Sequence, residues 1–169
     1  MNRRIVLVGF MGCGKTSVAK ALAGRLDCDF IDLDTFITEI TGRTPAEIIQ
    51  QDGEPAFRSI ETRALGDVLK RTEVQVIALG GGAWTVEANR EAITDHNCLS
   101  IWLDASFELC WQRIKSGNTL RPLAPDRERS RMLYESRGHS YALASHRVQV
   151  SEADDVPSLI EKVLTFALS

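Results

Sequence analysis

The sequence predicts an α/β protein of three layers, in which helices cover both faces of a five-stranded parallel sheet. Two observations predict this architecture: short apolar segments alternate with amphipathic helical segments, and the first apolar segment runs into a glycine-rich loop. Strands that alternate with helices form right-handed βαβ units and a parallel sheet. A chain of 169 residues suits one domain, 1–169, with its own hydrophobic core.

Five short apolar segments are the predicted strands. Their residues are 5–8, 30–31, 74–79, 98–103 and 147–150. The first is a continuous apolar run rich in β-branched residues, which is typical of a strand buried on both faces of a parallel sheet. We therefore expect residues 5–8 to lie inside the sheet.

The helices are predicted from apolar residues at helical spacing and from end signals. The first helix follows the glycine loop and presents Val18, Ala19, Leu22, Ala23 and Leu26 on one face. Thr35 is the candidate N-cap of the second helix, Gly42 ends it, and Pro45 opens a third. A longer helix covers residues 60–69, and the last helix carries Pro157 in its first turn.

An irregular segment, residues 116–126, carries one glycine and two prolines and is the predicted mobile lid. The whole lid is predicted to cover about 113–126, because it includes the end of the preceding helix from Arg113 onward. Other arginines nearby are expected on the exposed face of the helix after the lid, namely Arg127, Arg129 and Arg131. Their acidic neighbours and the lack of interleaved aromatic residues are not typical of a nucleic-acid surface.

Composition narrows the class of protein further. The formal net charge is −3 and 44% of the residues are hydrophobic, which predicts neither a nucleic-acid nor a membrane partner. The four cysteines form no close pair and no metal-type spacing, so we expect free thiols in a reducing compartment. The amino-terminal residues do not resemble a signal peptide, and a cytoplasmic monomer is the expectation.

Residues 9–16, hereafter the phosphate loop, read G-F-M-G-C-G-K-T and match the pattern G-x-x-x-x-G-K-[ST] between a strand and a helix. Glycines let backbone amides turn toward phosphate oxygens, and the following helix directs its positive end at the same anion. The predicted nucleotide contacts of this segment are Gly12, Cys13, Gly14, Lys15, Thr16 and Ser17. We therefore expect a fold of the phosphate-loop nucleoside triphosphatase and nucleoside monophosphate kinase type.

Two carboxylates close the second predicted strand, at the edge where ligands bind in open α/β sheets. Because Asp32 and Asp34 are two residues apart, they point the same way along a strand. One could hold Mg²⁺ through water while the other receives a proton from an attacking hydroxyl. Alternatively, they cap the helix that begins near Thr35.

Two further patterns each have two interpretations. Arg58 and Glu61 lie three residues apart on one helix and form either a surface ion pair or an arginine held for a substrate carboxylate. Gly80, Gly81 and Gly82 form either a plain turn or a place where a ligand ring approaches the backbone.

Taken together, these motifs resemble the shikimate kinase family. The resemblance rests on the phosphate loop, on D-x-D at 32–34, F-R-x-x-E at 57–61, G-G-G at 80–82, R-P-L at 121–123, and Arg137 with Tyr141. It covers nearly the whole chain. It implies transfer of the γ-phosphate of ATP to the 3-hydroxyl of shikimate, a step of aromatic amino-acid biosynthesis through chorismate.

The resemblance also implies roles for single residues. Lys15 would contact the transferring phosphate, Thr16 and Asp32 would hold Mg²⁺, and Asp34 would bind the acceptor hydroxyls as the candidate proton acceptor. The carboxylate of shikimate would be clamped by Arg58 and Arg137, with Gly80 to Gly82 lining its ring. The helical part that binds this substrate would cover about 34–61.

The remaining implied roles concern the lid and the adenine. Arg121, arriving on the lid, would neutralise charge on the γ-phosphate. Arg113 and Pro157 would contact the adenine, although Arg113 has the alternative of a solvated helix charge.

The sequence departs from the family pattern in the last third of the chain. The stretch from Arg121 to Arg137 is short, and Ala124 stands where leucine is usual. The proline of the family's R-x-P-L-Y is absent, because residues 137–141 read R-G-H-S-Y. We expect His139 to be a surface residue. A kinase of another small acid such as gluconate, and a relative without catalysis, are the competing hypotheses.

Overall fold

The central sheet contains the five parallel strands that the sequence predicts. The structure, a computed structural model, describes residues 3–117 and 121–167. Within these residues the strands follow the order β2-β3-β1-β4-β5, and every neighbouring pair is parallel. Their bounds are Ile5–Val8 (β1), Asp29–Asp32 (β2), Val74–Ala78 (β3), Leu99–Ala105 (β4) and His146–Val150 (β5).

Eight α-helices surround this sheet in the described part of the chain and complete the three-layer αβα architecture. Their bounds are Lys15–Leu26 (α1), Leu33–Thr41 (α2), Pro45–Asp52 (α3), Glu54–Leu69 (α4), Glu87–Asp95 (α5), Phe107–Ser116 (α6), Arg127–Tyr141 (α7) and Val156–Ala167 (α8). Helices α1 and α8 pack against each other, whereas α4 packs against α2, α3 and α5. No helix among the described residues is long and apolar enough to cross a membrane.

Strand β1 is the centre of the fold, and all four of its residues are fully buried. It pairs with β3 on one side and with β4 on the other. Strands β2 and β3 thus lie on one side of β1, and β4 and β5 lie on the other, so the strand order reverses at β1. In open α/β sheets ligands bind at such a point, outside the carboxyl ends of the strands. The phosphate loop follows β1 at this point.

The second helix begins earlier than the sequence predicts. Thr35 is not its N-cap: Asp32 caps α2, and its side-chain carboxylate accepts a hydrogen bond of 3.1 Å from the amide of Thr35. Asp34 consequently lies in the first turn of α2, and the prediction that both carboxylates point along one strand is wrong. The alternative, that these carboxylates cap the helix, is confirmed for Asp32. Helix α2 begins directly after β2 because Asp32, the last residue of the strand, is itself a strong capping residue in extended conformation.

The other end signals are confirmed. Gly42 ends α2 in the left-handed conformation, and Pro45 opens α3 behind a capping box formed by Thr44 and Glu47. Helix α5 was not predicted, because only Asn89 and Ile93 of its nine residues are buried and its apolar stripe is too short to recognise.

Two predicted regions, the lid and the substrate-binding part, correspond to the following elements. In the predicted lid, residues 118–120 lie outside the described residues, while the rest consists of the end of α6 and an irregular segment, 121–126. The assignment of residues 34–61 to substrate binding stays a prediction, and these residues form α2, α3 and the first half of α4.

Candidate active site

The phosphate loop is packed so closely against helix α6 that glycine is required at its turn. Gly12 has a φ of +80°, and a Cβ placed there would lie 2.7 Å from the carbonyl oxygen of Cys110 in α6. Inside the turn, the ammonium of Lys15 donates to the carbonyl oxygens of Gly9 (2.9 Å) and Phe10 (3.0 Å). The cation therefore sits in the centre of the loop, where the phosphates of a nucleotide would bind.

Arg113 also contacts the phosphate loop. From α6 its guanidinium donates to the carbonyl oxygens of Gly12 and Cys13, both at 3.3 Å. The alternative of a solvated helix charge is therefore wrong. Its predicted contact with adenine stays a prediction.

A pair of oxygen donors lies beside Lys15. The hydroxyl of Thr16 donates to the carboxylate of Asp32 at 2.5 Å, and the second oxygen of Asp32 caps α2. Mg²⁺ in nucleotide sites takes one or two protein oxygens and completes its shell with water and phosphate oxygens. The two side chains fit that donor set, and the described residues contain no cluster of three or more His, Cys, Asp or Glu that could hold a metal ion without such help.

The carboxylate of Asp34 faces the same cleft from the first turn of α2. Burial raises its pKa above the ordinary value, and the negative charge of Asp32 raises it further. The positive charges of Lys15, Arg58 and Arg121 oppose this shift. Asp34 thus combines a raised proton affinity with three cationic neighbours, as expected of a group that takes a proton from a hydroxyl.

Arg58 is held by two glutamates of its own helix. Its guanidinium contacts Glu61 at 2.6 Å and Glu54 at 3.0 Å. The Glu61 side chain is 1% exposed and that of Glu54 is 46% exposed, so the two ion pairs differ greatly in their access to water. Burial raises the pKa of Glu61, and the charge of Arg58 opposes the shift. The interpretation of Arg58–Glu61 as a surface ion pair is therefore wrong.

The three glycines after β3 make room for these charged groups. A Cβ at Gly80 would lie 2.7 Å from a carboxylate oxygen of Asp34 and 2.9 Å from one of Glu61. A Cβ at Gly82 would overlap the guanidinium of Arg58. The plain-turn interpretation is therefore wrong, since the missing side chains are replaced by the site's own charged atoms.

Arg137 approaches from the opposite side, on α7. It is only 6% exposed, and one of its terminal nitrogens lies 3.3 Å from the position of a Cβ on Gly81. Burial lowers its pKa, and the nearby charge of Arg58 acts in the same direction. Helix α7 continues through residues 137–141 to Tyr141, with no proline to interrupt it. His139 is exposed, as expected.

These groups line one cleft of about 870 Å³. The predicted residues that line it are Gly12, Gly14, Lys15, Thr16, Ser17, Asp32, Asp34, Arg58, Gly80, Gly81, Gly82, Arg113, Arg121 and Arg137. Cys13 does not line the cleft, because its side chain is buried beneath the loop. Pro157 does not line it either: it is exposed at the start of α8, and its role in adenine binding stays a prediction.

The sequence interpretation missed the apolar wall of the cleft. Apolar lining residues that it did not propose are Met11, Ile49, Phe57, Leu79, Pro122 and Leu123. Met11, Ile49 and Leu79 are typical of ordinary core or loop residues. The usable signals were the position of Phe57 in the F-R-x-x-E motif and of Pro122 and Leu123 in the R-P-L motif.

Comparison with known proteins agrees with this geometry. The family model described as shikimate kinase matches residues 11–167. The chain belongs to the shikimate kinase family. A shikimate kinase of Ruegeria pomeroyi is 36% identical over 97% of this chain and 84% of the relative, and one of Bacillus pumilus is 37% identical over 96% and 90%.

Solved structures agree with the family and extend the comparison of the fold. Shikimate kinase from Acinetobacter baumannii, in complex with shikimate, superimposes with a TM-score of 0.90 at 33% identity and covers 98% of this chain and 93% of its own. A gluconokinase from Sinorhizobium meliloti shares the fold with a TM-score of 0.64 at 18% identity, over 96% of this chain and 90% of its own.

The unequal burial of the two glutamates on Arg58 leads to a stability prediction. We expect Glu61→Ala to lower the free energy of unfolding by about 3–5 kcal/mol, because it removes the buried partner of a guanidinium whose side chain is only 19% exposed. Glu54→Ala removes an ion pair with the same arginine but should cost less than about 1 kcal/mol, because that carboxylate is half exposed. Urea denaturation of both variants measures the difference. Equal losses would contradict the account.

Proposed function

We propose that this chain transfers the γ-phosphate of ATP to the 3-hydroxyl of shikimate, giving shikimate 3-phosphate and ADP. The observation that carries the proposal is one cleft with a phosphate loop at one end, the buried Arg137 and the partly buried Arg58 at the other, and Asp34 among them. Phosphoryl transfer needs mainly positioning and stabilisation of charge. This arrangement provides both for an acceptor that is a hydroxylated carboxylic acid.

At the donor end, Lys15 would exchange its two loop carbonyls for phosphate oxygens, since an ammonium gains more from an anion than from neutral acceptors. The Thr16 hydroxyl and the Asp32 carboxylate would hold Mg²⁺, in part through water. Bound there, Mg²⁺ would supply positive charge that stabilises the transferring phosphate. The other oxygen of Asp32 accepts a hydrogen bond from the amide of Thr35 and holds the start of α2 in place.

At the acceptor end, Arg58 and Arg137 would bind the carboxylate of shikimate. A polyhydroxylated acid offers little apolar area, so charged hydrogen bonds of about 1.5–3 kcal/mol each must supply much of the recognition. Gly80 to Gly82 line the cleft at the same place and would present their backbone to the ring. Asp34 would then accept a hydrogen bond from the reacting hydroxyl and receive its proton, which its raised pKa favours.

Arg121 connects the two ends. It reaches the cleft from the segment after residue 120, its Nε is buried without a hydrogen-bond partner among the described residues, and burial lowers its pKa while Asp34 opposes the shift. We propose that it neutralises the γ-phosphate during transfer, on a lid that excludes water. Contacts of Arg113 and Pro157 with adenine, the monomeric state and a cytoplasmic location belong to the same proposal.

The proposal predicts a selective acceptor. With Mg²⁺ and ATP we expect ADP release in the presence of shikimate, and none with gluconate or AMP, because only shikimate combines a ring with a carboxylate at the clamp. Removal of Mg²⁺ with a chelator should abolish the reaction. Turnover with another acceptor and none with shikimate would refute the proposal. Binding of ATP without turnover of any acceptor would favour a relative that has lost catalysis.

The carboxylate clamp predicts a separation of the two substrates. Arg58→Ala and Arg137→Ala should each weaken shikimate binding by about tenfold or more, the loss of one charged hydrogen bond, and leave ATP binding within about twofold. Arg63→Ala, an exposed arginine on the same helix as Arg58, is the matched control and should change neither. Titration calorimetry measures both affinities. Equal weakening of ATP and shikimate would rule out the clamp.

A further inference from the structure

Tyr141 lies directly behind the carboxylate clamp without lining the cleft. It is 2% exposed, and its hydroxyl donates a hydrogen bond to the carbonyl oxygen of Gly81. The guanidinium of Arg137, one helical turn earlier on α7, approaches the same glycine, with a terminal nitrogen 3.3 Å from the position of a Cβ on Gly81. The electrostatic interaction of Arg137 with the phenol of Tyr141 is favourable. The hydroxyl of Tyr141 and an arginine of the clamp therefore meet at Gly81.

The chemistry of a phenol suits this arrangement. Burial raises the pKa of Tyr141, and the charge of Arg137 opposes the shift without cancelling it, so the group keeps its proton. With that proton donated to Gly81, the lone pairs of the oxygen remain for a donor such as Arg137. The ring is held independently, since it stacks on Trp102 with centroids 6.0 Å apart.

Arg137 has fewer charged partners in contact than Arg58. Arg58 has two glutamates, whereas none of the ion pairs found in residues 3–117 and 121–167 includes Arg137. A buried guanidinium without a carboxylate has little to fix its direction apart from hydrogen bonds. The phenol oxygen of Tyr141 is the neutral group that interacts with it.

We infer that Tyr141 is a positioning residue for the acceptor, which aligns Arg137 with the backbone of Gly81 so that both meet the same substrate. The inference rests on the proposed binding of shikimate by Arg137. In this inference the hydroxyl of Tyr141, rather than its ring, contributes to the affinity of the site for shikimate. Because the hydroxyl of Tyr141 donates to Gly81, and not to the phosphate loop or to Asp34, we expect its effect to be confined to the acceptor.

The chain offers a matched control on the same helix. Tyr134 lies two helical turns before Tyr141, is also packed against aromatic rings, and donates its hydroxyl to a backbone carbonyl, that of Ala105, at 2.9 Å. Its acceptor is the last residue of β4 and lies outside the clamp. Tyr134→Phe and Tyr141→Phe thus remove the same atom and the same kind of hydrogen bond, and they differ in what the hydroxyl aligns.

Steady-state kinetics of the two variants test the inference. We expect Tyr141→Phe to raise KM for shikimate about five- to twentyfold, with kcat lowered less than about threefold and KM for ATP unchanged. Tyr134→Phe should leave all three constants within about twofold of the unsubstituted chain. Equal effects of the two variants on KM for shikimate, or no effect of either, would overturn the inference. The unsubstituted chain must first turn over shikimate, and failure at that step would refute the proposed function instead.

A second measurement covers the case in which Tyr141→Phe does not fold. The sequence contains two tyrosines, so 3-fluorotyrosine incorporated into the Tyr134→Phe variant labels Tyr141 alone. Its ¹⁹F resonance should shift when shikimate binds and stay in place when ADP binds. A resonance that ignores shikimate at saturating concentration would overturn the inference.

Discussion

The acceptor half of the site depends on the absence of side chains at three consecutive positions. A carboxylate oxygen of Asp34 and the guanidinium of Arg58 occupy the volume that β-carbons at Gly80 and Gly82 would take, and Arg137 approaches Gly81. Charges from α2, α4 and α7 can therefore meet at the end of β3, next to the phosphate loop. Any side chain there would push these groups apart, and the distance between donor and acceptor would grow with them.

Bringing so many charges together costs free energy unless they are paired. The two arginines of the clamp differ in how fully they are paired. Arg58 has the buried carboxylate of Glu61, whereas Arg137 is more deeply buried and takes part in no ion pair among the described residues. An incompletely paired, buried guanidinium is suited to bind an anion, because the desolvation has already been paid before the ligand arrives.

Local patterns predicted much of this molecule, and contacts between distant segments account for what they missed. The loop at 9–16 and the five strands follow from short-range spacing and are confirmed. Asp34 was misplaced because Asp32 is both the last residue of a strand and the cap of a helix, and only the second role decides which way Asp34 points. The bonds from Arg113 to Gly12 and Cys13 join residues about a hundred positions apart, which no local spacing encodes.

The central claim is that donor and acceptor meet at Asp34 in one cleft, so that a single hydroxyl of shikimate is phosphorylated. ³¹P NMR of a single turnover with Mg²⁺, ATP and shikimate tests this most directly, because coupling to the ring protons identifies the phosphorylated carbon. The account predicts one new phosphomonoester signal coupled to the proton at carbon 3, with ADP in equal amount. A phosphate on another hydroxyl, or inorganic phosphate as the sole product, would contradict it.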